Sequence, residues 1–206
     1  MSPEAIVRHA ARDSWSRVSA FALRLCENGA APAQATSVRV AHDGDSLLIR
    51  FDCDDRDIWA THTRYGAPLW EEEVVEVFLA PGREVPSEYI ELEVNPLGTI
   101  FDARVVNPDG RRDSMRVDAD WRSPGLVADV DRSKPGAWSV DLAIPWRDLC
   151  GGAPPPVWRA NFFRIERPRD GAAEFCCWSP TFASPPDFHK PAYFGTLTIE
   201  GRAGAA

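Results

Sequence analysis

Between Ser37 and Ile199 the chain alternates apolar and polar positions in short stretches, interrupted by Gly, Pro, Asp and Asn, and no helical period persists. Alternation of this kind marks strands with one buried face. It predicts strands over Ser37–Ala41, Leu47–Asp52, Val74–Leu79, Tyr89–Asn95, Ile100–Val106, Leu126–Val130, Trp138–Ile144, Arg159–Ile165 and Tyr193–Glu200. The joins His42-Asp43-Gly44-Asp45, Asn107-Pro108-Asp109-Gly110 and Lys134-Pro135-Gly136 carry hairpin-turn chemistry, so the strands are expected to pair antiparallel. Pro145–Leu149 reads as one helical turn with proline first, stopped by Gly151. The expected fold is all-β: a two-sheet antiparallel β-sandwich, jelly-roll-like, with short helical turns.

One domain over residues 1–206 is the expectation, with 36–200 forming the sandwich and 1–35 wrapping it through Trp15 and Phe21. The proline-rich stretches Pro81–Pro86, Ala153–Pro156 and Pro185-Pro186 are too short to link domains and read as rigid loops. No repeat of fixed period appears, which disfavours solenoids and propellers.

The faces of the strands differ in chemistry. Val75, Val77 and Leu79 share one side of their strand, opposite Val74, Glu76 and Phe78. Ile90, Leu92 and Val94 likewise oppose Tyr89, Glu91, Glu93 and Asn95. If these two strands are neighbours, the sheet carries carboxylates on its outer face. In the later strand Trp158, Ala160, Phe162, Arg164 and Glu166 share one face, and Arg159, Asn161, Phe163 and Ile165 the other. Arg164 therefore either neutralises a carboxylate of the sheet or lines a polar trough beneath a ligand.

Composition narrows the partners. Charged residues make up 26% and hydrophobic residues 44%, as in globular proteins, and no apolar run is long enough to span a membrane. The net charge of −8 repels nucleic acid and anionic lipid. The five cysteines, with no CxxC spacing, imply neither a complete disulfide set nor a zinc site. Glu4, Arg8, His9, Arg12 and Asp13 break any leader-like apolar run, so the chain as written is expected in the cytoplasm, a trimmed secreted form being the alternative. Aromatic usage is distinctive: 8 Trp and 10 Phe against 3 Tyr leave indoles to spare for a site outside the core.

Three segments in order, Leu69-Trp70-Glu71-Glu72-Glu73-Val74-Val75-Glu76-Val77-Phe78-Leu79, then Trp158–Arg167, then Trp178-Ser179-Pro180 with Phe188–Gly195, resemble carbohydrate-binding module family 9. The resemblance spans Thr36 to Glu200. It implies a β-sandwich that holds a sugar between two aromatic rings, with polar side chains at the hydroxyls and, in some members, structural calcium. Trp70 falls on the first stacking tryptophan and Glu76 on a sugar-contacting glutamate. Phe188 falls on the second stacking position, where better-known members carry tryptophan. Glu93 stands where the family has an arginine and Phe163 where it has a glutamine, so the ligand preference of other members does not transfer.

An aromatic wall covers the C–H face of a sugar while charged groups satisfy its rim. Candidate saccharide contacts are Trp70, Glu76, Phe188, Trp178, Arg164 and Glu93, of which Trp178 either floors the pocket or belongs to the core. Trp70 and Phe188 are expected as opposite jaws of an open cleft. His189 reads as a loop hydrogen-bonder. The acidic run Asp52-Cys53-Asp54-Asp55-Arg56-Asp57 offers oxygens of the kind calcium takes, without a dedicated loop pattern, and no cofactor is otherwise expected. Noncatalytic saccharide binding is the leading expectation. A glycoside hydrolase or lyase using a pair among Glu76, Glu91 and Glu93 is the alternative, and a haem sandwich is a remote third, since no His or Met spacing suggests an axial pair.

Overall fold

The structure, a computed structural model, describes residues 2–201, so the expected unit 1–206 extends past it at both ends. Its strands are β1 (Glu4–His9), β2 (Ala20–Ala22), β3 (Arg24–Leu25), β4 (Thr36–His42), β5 (Ser46–Asp54), β6 (Val74–Pro81) and β7 (Glu88–Val94). They continue as β8 (Ile100–Val106), β9 (Arg116–Asp118), β10 (Val127–Asp131), β11 (Ala137–Pro145), β12 (Val157–Glu166), β13 (Glu174–Cys177) and β14 (Gly195–Ile199). The fold is all-β with short helical turns.

The strand pairing does not divide into two separate sheets. A single hydrogen-bonded path runs β10-β11-β5-β4-β1-β14-β12-β6-β7-β8-β9, with β2 beside β4, β13 beside β12 and β3 beside β13. The bridge is β1, which runs parallel to β14 from Glu4↔Thr196 to Val7↔Ile199 and parallel to β4 at Arg8↔Ala41 and His9↔His42. An N-terminal segment expected only to wrap the molecule thus joins its two halves into one curved sheet. Val38, Val40, Ile49 and Phe51 from one half meet Val75, Val77, Leu79 and Leu92 from the other in one hydrophobic cluster. Burying their apolar faces there is the driving force for the curl.

The end of this core is closed by α1 (Trp146–Cys150). Pro145 stands one position outside it as the N-cap, and Gly151 ends it at φ 77°, its N–H bonding to the Arg147 carbonyl. Trp146 lies against Trp158 with ring centroids 5.7 Å apart.

A second hydrophobic cluster covers the opposite face of β12-β6-β7-β8. Val74, Phe78, Tyr89, Phe101, Ala103, Phe163 and Ile165 come from the strands, and Phe188 and Phe194 from the segment before β14. Both faces of β6 are therefore covered, which is why its residues from Val74 to Ala80, Glu76 among them, are all buried.

Candidate functional site

A cavity of about 300 Å³ opens on this second face, between the sheet and the segments that cover it. Its base is set by strand register. Phe163, Glu76, Glu93 and Phe101 stand in one row across β12, β6, β7 and β8. Glu91 lies in the next row, opposite Phe78. Because side chains two apart on a strand share a face, Glu91 and Glu93 rise beside Glu76. One carboxylate oxygen from each lies within 4.8 Å of the other two.

All three glutamates are buried, Glu93 to 1% exposure. Burial and mutual repulsion keep protons on them. Loss of solvent, then the neighbouring Glu91, raise Glu76 well above the usual carboxylate range. Glu93 is raised in the same way, by burial first and then by Glu76 and Glu91. Burial lifts Glu91 to about 7, against hydrogen bonding with Glu93 and the pull of Arg112. Neither oxygen of Glu93 receives a hydrogen bond from an N–H or O–H donor among the described residues.

Trp70 forms the lip. It sits in the short 3-10 turn Leu69–Glu71 ahead of β6, anchored by fully buried Leu69. Trp70 is 42% exposed, and its ring meets that of Phe101 edge-on with centroids 5.3 Å apart. Arg167, just past β12, donates to the Trp70 carbonyl at 3.2 Å and lies over the Phe175 ring at 5.3 Å.

Phe188 is the inner wall rather than an open jaw. It is only 6% exposed and is stacked on Phe163 at 4.3 Å, so one of its faces is already taken. The segment carrying it is pinned by polar contacts. His189 Nδ1 and the Tyr89 hydroxyl are 2.7 Å apart, Asn107 donates to the His189 carbonyl at 3.1 Å, and Lys190 donates to the Gly110 carbonyl at 3.0 Å. Burial, then Arg112, depress His189 to about 3, so its ring is neutral. Arg112 pairs with Asp187 at 2.9 Å on the rim.

Two expected contacts lie elsewhere. Trp178 is buried in the main core, 4.8 Å from Phe21 and 5.6 Å from Phe162. A side chain at Gly195 would meet the Trp178 ring at 2.3 Å, so glycine there is what admits the indole. Arg164 is fully buried on the inward face of β12, where it reaches Asp55 at 3.1 Å and Glu73 at 3.5 Å and donates to Thr36 Oγ1 and the Asp54 carbonyl. Its role is to neutralise buried acids, as strand alternation allows.

The acidic run at the end of β5 does not fit calcium. Asp52 pairs with Arg39 and Arg50, Asp55 with Arg164, and Asp57 with Arg169, so protein cations occupy these oxygens. Arg112, Arg167, Met115 and Phe175 line the cavity without having been singled out in the sequence, since they arrive from outside the alternating core strands or from a short strand.

Comparison with known proteins matches this fold and this residue order. The profile of carbohydrate-binding family 9 covers residues 28–199, and the chain belongs to that family. A relative named "Extracellular protein" from Arthroderma benhamiae is 28% identical over 181 residues, covering 82% of this chain and 80% of its own. A candidate carbohydrate-binding protein from Bacteroides uniformis superimposes with TM-score 0.77 at 18% identity, over 97% of this chain and 100% of that one. A family 9 module from Caldicellulosiruptor kristjanssonii in complex with cellotriose gives TM-score 0.68 at 14% identity, over 99% and 97%. The same organism's family 9 module in complex with glucose gives 0.66 at 13% identity, over 99% of each chain. At these identities the structural likeness shows the fold alone.

The Arthroderma relative overturns the cytoplasmic expectation. That expectation rested on charged residues between Glu4 and Asp13, and the structure gives them another reason: Glu4, Arg8 and His9 lie on the exposed positions of β1, which needs only Val7 inside. Among the described residues, no helix is long and apolar enough to cross a membrane.

Proposed function

We propose that the chain is a noncatalytic carbohydrate-binding module, one unit in which residues 1–35 wrap a jelly-roll-like two-sheet sandwich formed by the halves of the curved sheet. The observation that carries the reading is a half-exposed indole, Trp70, at the mouth of a cavity floored by carboxyl groups. The ring covers the C–H face of a sugar, Phe188 and Phe101 bound its depth, and Glu76, Glu91 and Glu93 meet the hydroxyls. Family membership and the sugar complexes of the Caldicellulosiruptor modules support it.

The three glutamates stand side by side on neighbouring strands at one wall. Glycoside hydrolysis needs two carboxyls flanking the bond from opposite sides, which this row does not provide. With one open stacking wall contributing about 0.5–1.5 kcal/mol beyond area burial, and association opposing, affinities on the order of micromolar to millimolar are expected.

Calorimetric titration with mono- and oligosaccharides tests the reading. Trp70→Ala should lower affinity about tenfold or more while leaving the circular dichroism spectrum intact. Unchanged affinity in that folded variant removes Trp70 from the site.

A further inference from the structure

The cavity floor is unlike one built to hold a neutral ligand, because acids are crowded there without the cations that accompany buried acids elsewhere in the chain. Asp55, Glu73 and Glu166 surround Arg164. Among the described residues, no protein cation stands between Glu76, Glu91 and Glu93 as Arg164 does between the others. Arg112 also lines the cavity, but it is engaged with Asp187, and Arg167 is engaged with the Trp70 carbonyl. His189 Nε2 is 3.8 Å from Glu91 Oε1, yet that ring is neutral. Glu93 is the sharpest case: its carboxyl is 99% buried, lines the cavity and is met by no donor. Burial and crowding hold such a carboxyl in its protonated form, and a cation admitted to the cavity lets it ionise.

The rest of the lining indicates which cation. Trp70, Phe101, Phe175 and Phe188 supply ring surface, which suits a C–H face and an attached ammonium and offers no ligand to a hard metal ion. Calcium takes six to eight oxygens, which these three carboxylates reach only if every one binds through both of its oxygens. A volume of about 300 Å³ is at the small end for ligand sites, fitting one or two sugar rings.

Resting on the proposed saccharide reading, we infer that the preferred ligand is an amino sugar, its ring against Trp70 and its ammonium group on the Glu76–Glu91–Glu93 wall. The ammonium supplies the hydrogen-bond donors that Glu93 lacks, and its charge draws the shared protons off the glutamates. Glu91, raised to about 7, sets the pH range, with Glu76 and Glu93 beside it on the sheet and Arg112, Arg167 and His189 lining the same cavity. Affinity for the ammonium form then falls as the pH drops from 7 to 5 and the wall takes up protons, while the affinity for an uncharged sugar does not fall with it.

The test is calorimetry of the intact chain at pH 7 with glucosamine, glucose, N-acetylglucosamine and calcium chloride as separate titrants. Glucosamine should bind about tenfold or more tightly than glucose, through charge-assisted hydrogen bonds. N-acetylglucosamine, uncharged at nitrogen, should show no such gain. In Glu93→Gln the ratio of glucosamine to glucose affinity should fall towards one, and in the wild type the same ratio should fall at pH 5, a readout that needs no variant. Equal affinities for glucosamine and glucose overturn this inference and leave the saccharide reading standing. No heat with any sugar or with oligosaccharides overturns both. Calcium binding that is lost in Glu93→Gln, without a preference for glucosamine, overturns it in favour of a metal site.

Discussion

Two three-carboxyl clusters lie on the two faces of the same sheet; burial pushes Glu73 in one and Glu91 in the other towards the protonated form, and the clusters differ in whether a protein cation stands among them. On the inward side, Asp55, Glu73 and Glu166 are held by Arg164, by the Trp138 indole N–H on Asp55 at 3.1 Å, by the Arg167 backbone N–H on Glu73 at 2.7 Å, and by Gln34 on Glu166. On the outer side, among the described residues, Glu76, Glu91 and Glu93 meet one another, the neutral His189 ring at 3.8 Å from Glu91 and the more distant Arg112. The first arrangement fixes β12 against the segment after β5 and leaves no room for a ligand. The second is destabilising for the empty chain, and groups of that kind are retained where they meet something the chain does not contain. Acid content alone does not distinguish structure from function; the presence or absence of an internal cation does.

Breaking the inner cluster should have the largest effect. Arg164→Met leaves its buried acids without their cation and should cost about 3–5 kcal/mol of stability, read from urea unfolding. A loss below about 1 kcal/mol would mean that the inner cluster is not held as described.

The pH dependence is the next effect in size. Glu73 is raised to about 8, by burial and then Asp55, and Glu91 to about 7, so the folded chain holds protons that the unfolded chain has lost. Where the native state binds more protons, stability falls as pH rises. His189, depressed to about 3 from 6.5, works the other way, adding stability as pH rises, but only up to about 6.5. Between pH 6.5 and 8 the glutamates therefore dominate, and the unfolding free energy should decline by about 1.4 kcal/mol per pH unit for each proton retained. A flat or rising profile over that interval would contradict the assignment of protonated glutamates.

The smallest change in stability, but one of informative sign, belongs to Glu93→Gln. It removes a buried, protonated carboxyl from the crowded row and deprives no donor of its acceptor, so stability should stay within about 1 kcal/mol of wild type or rise. A loss of several kcal/mol would show that the outer acids hold the fold together as the inner ones do.

The same contrast explains what was legible in the sequence. Strands with one apolar and one mixed face, such as β6, β7 and β12, were readable because alternation reports burial directly, and it also placed Glu76 and Glu93 on a common face. β1 has only Val7 buried, and β9 has three exposed residues, so neither carries an alternating signature. They form because neighbours offer free strand edges, a property of tertiary arrangement. β1 is the element that changes the architecture, joining halves that alternation alone separates.

At the site, Trp70 was legible from its motif and the acids from their spacing. Phe188, expected as an open jaw, lines the inner wall of the cavity instead, since its stacking on Phe163 depends on where the covering segment crosses β12. Trp178 and Arg164 lie one strand face away from the site, because β12 turns Phe162 and Arg164 inward and Phe163 and Ile165 outward. Arg112 reaches the cavity from the segment between β8 and β9, where no periodicity forecasts direction.

The most direct test of the account follows the tryptophan indole N–H resonances of the folded chain by nuclear magnetic resonance during a saccharide titration. A saturable shift of the Trp70 signal is expected while those of Trp138, Trp158 and Trp178, closed in the core, stay in place. A bound sugar that leaves Trp70 unmoved would contradict it.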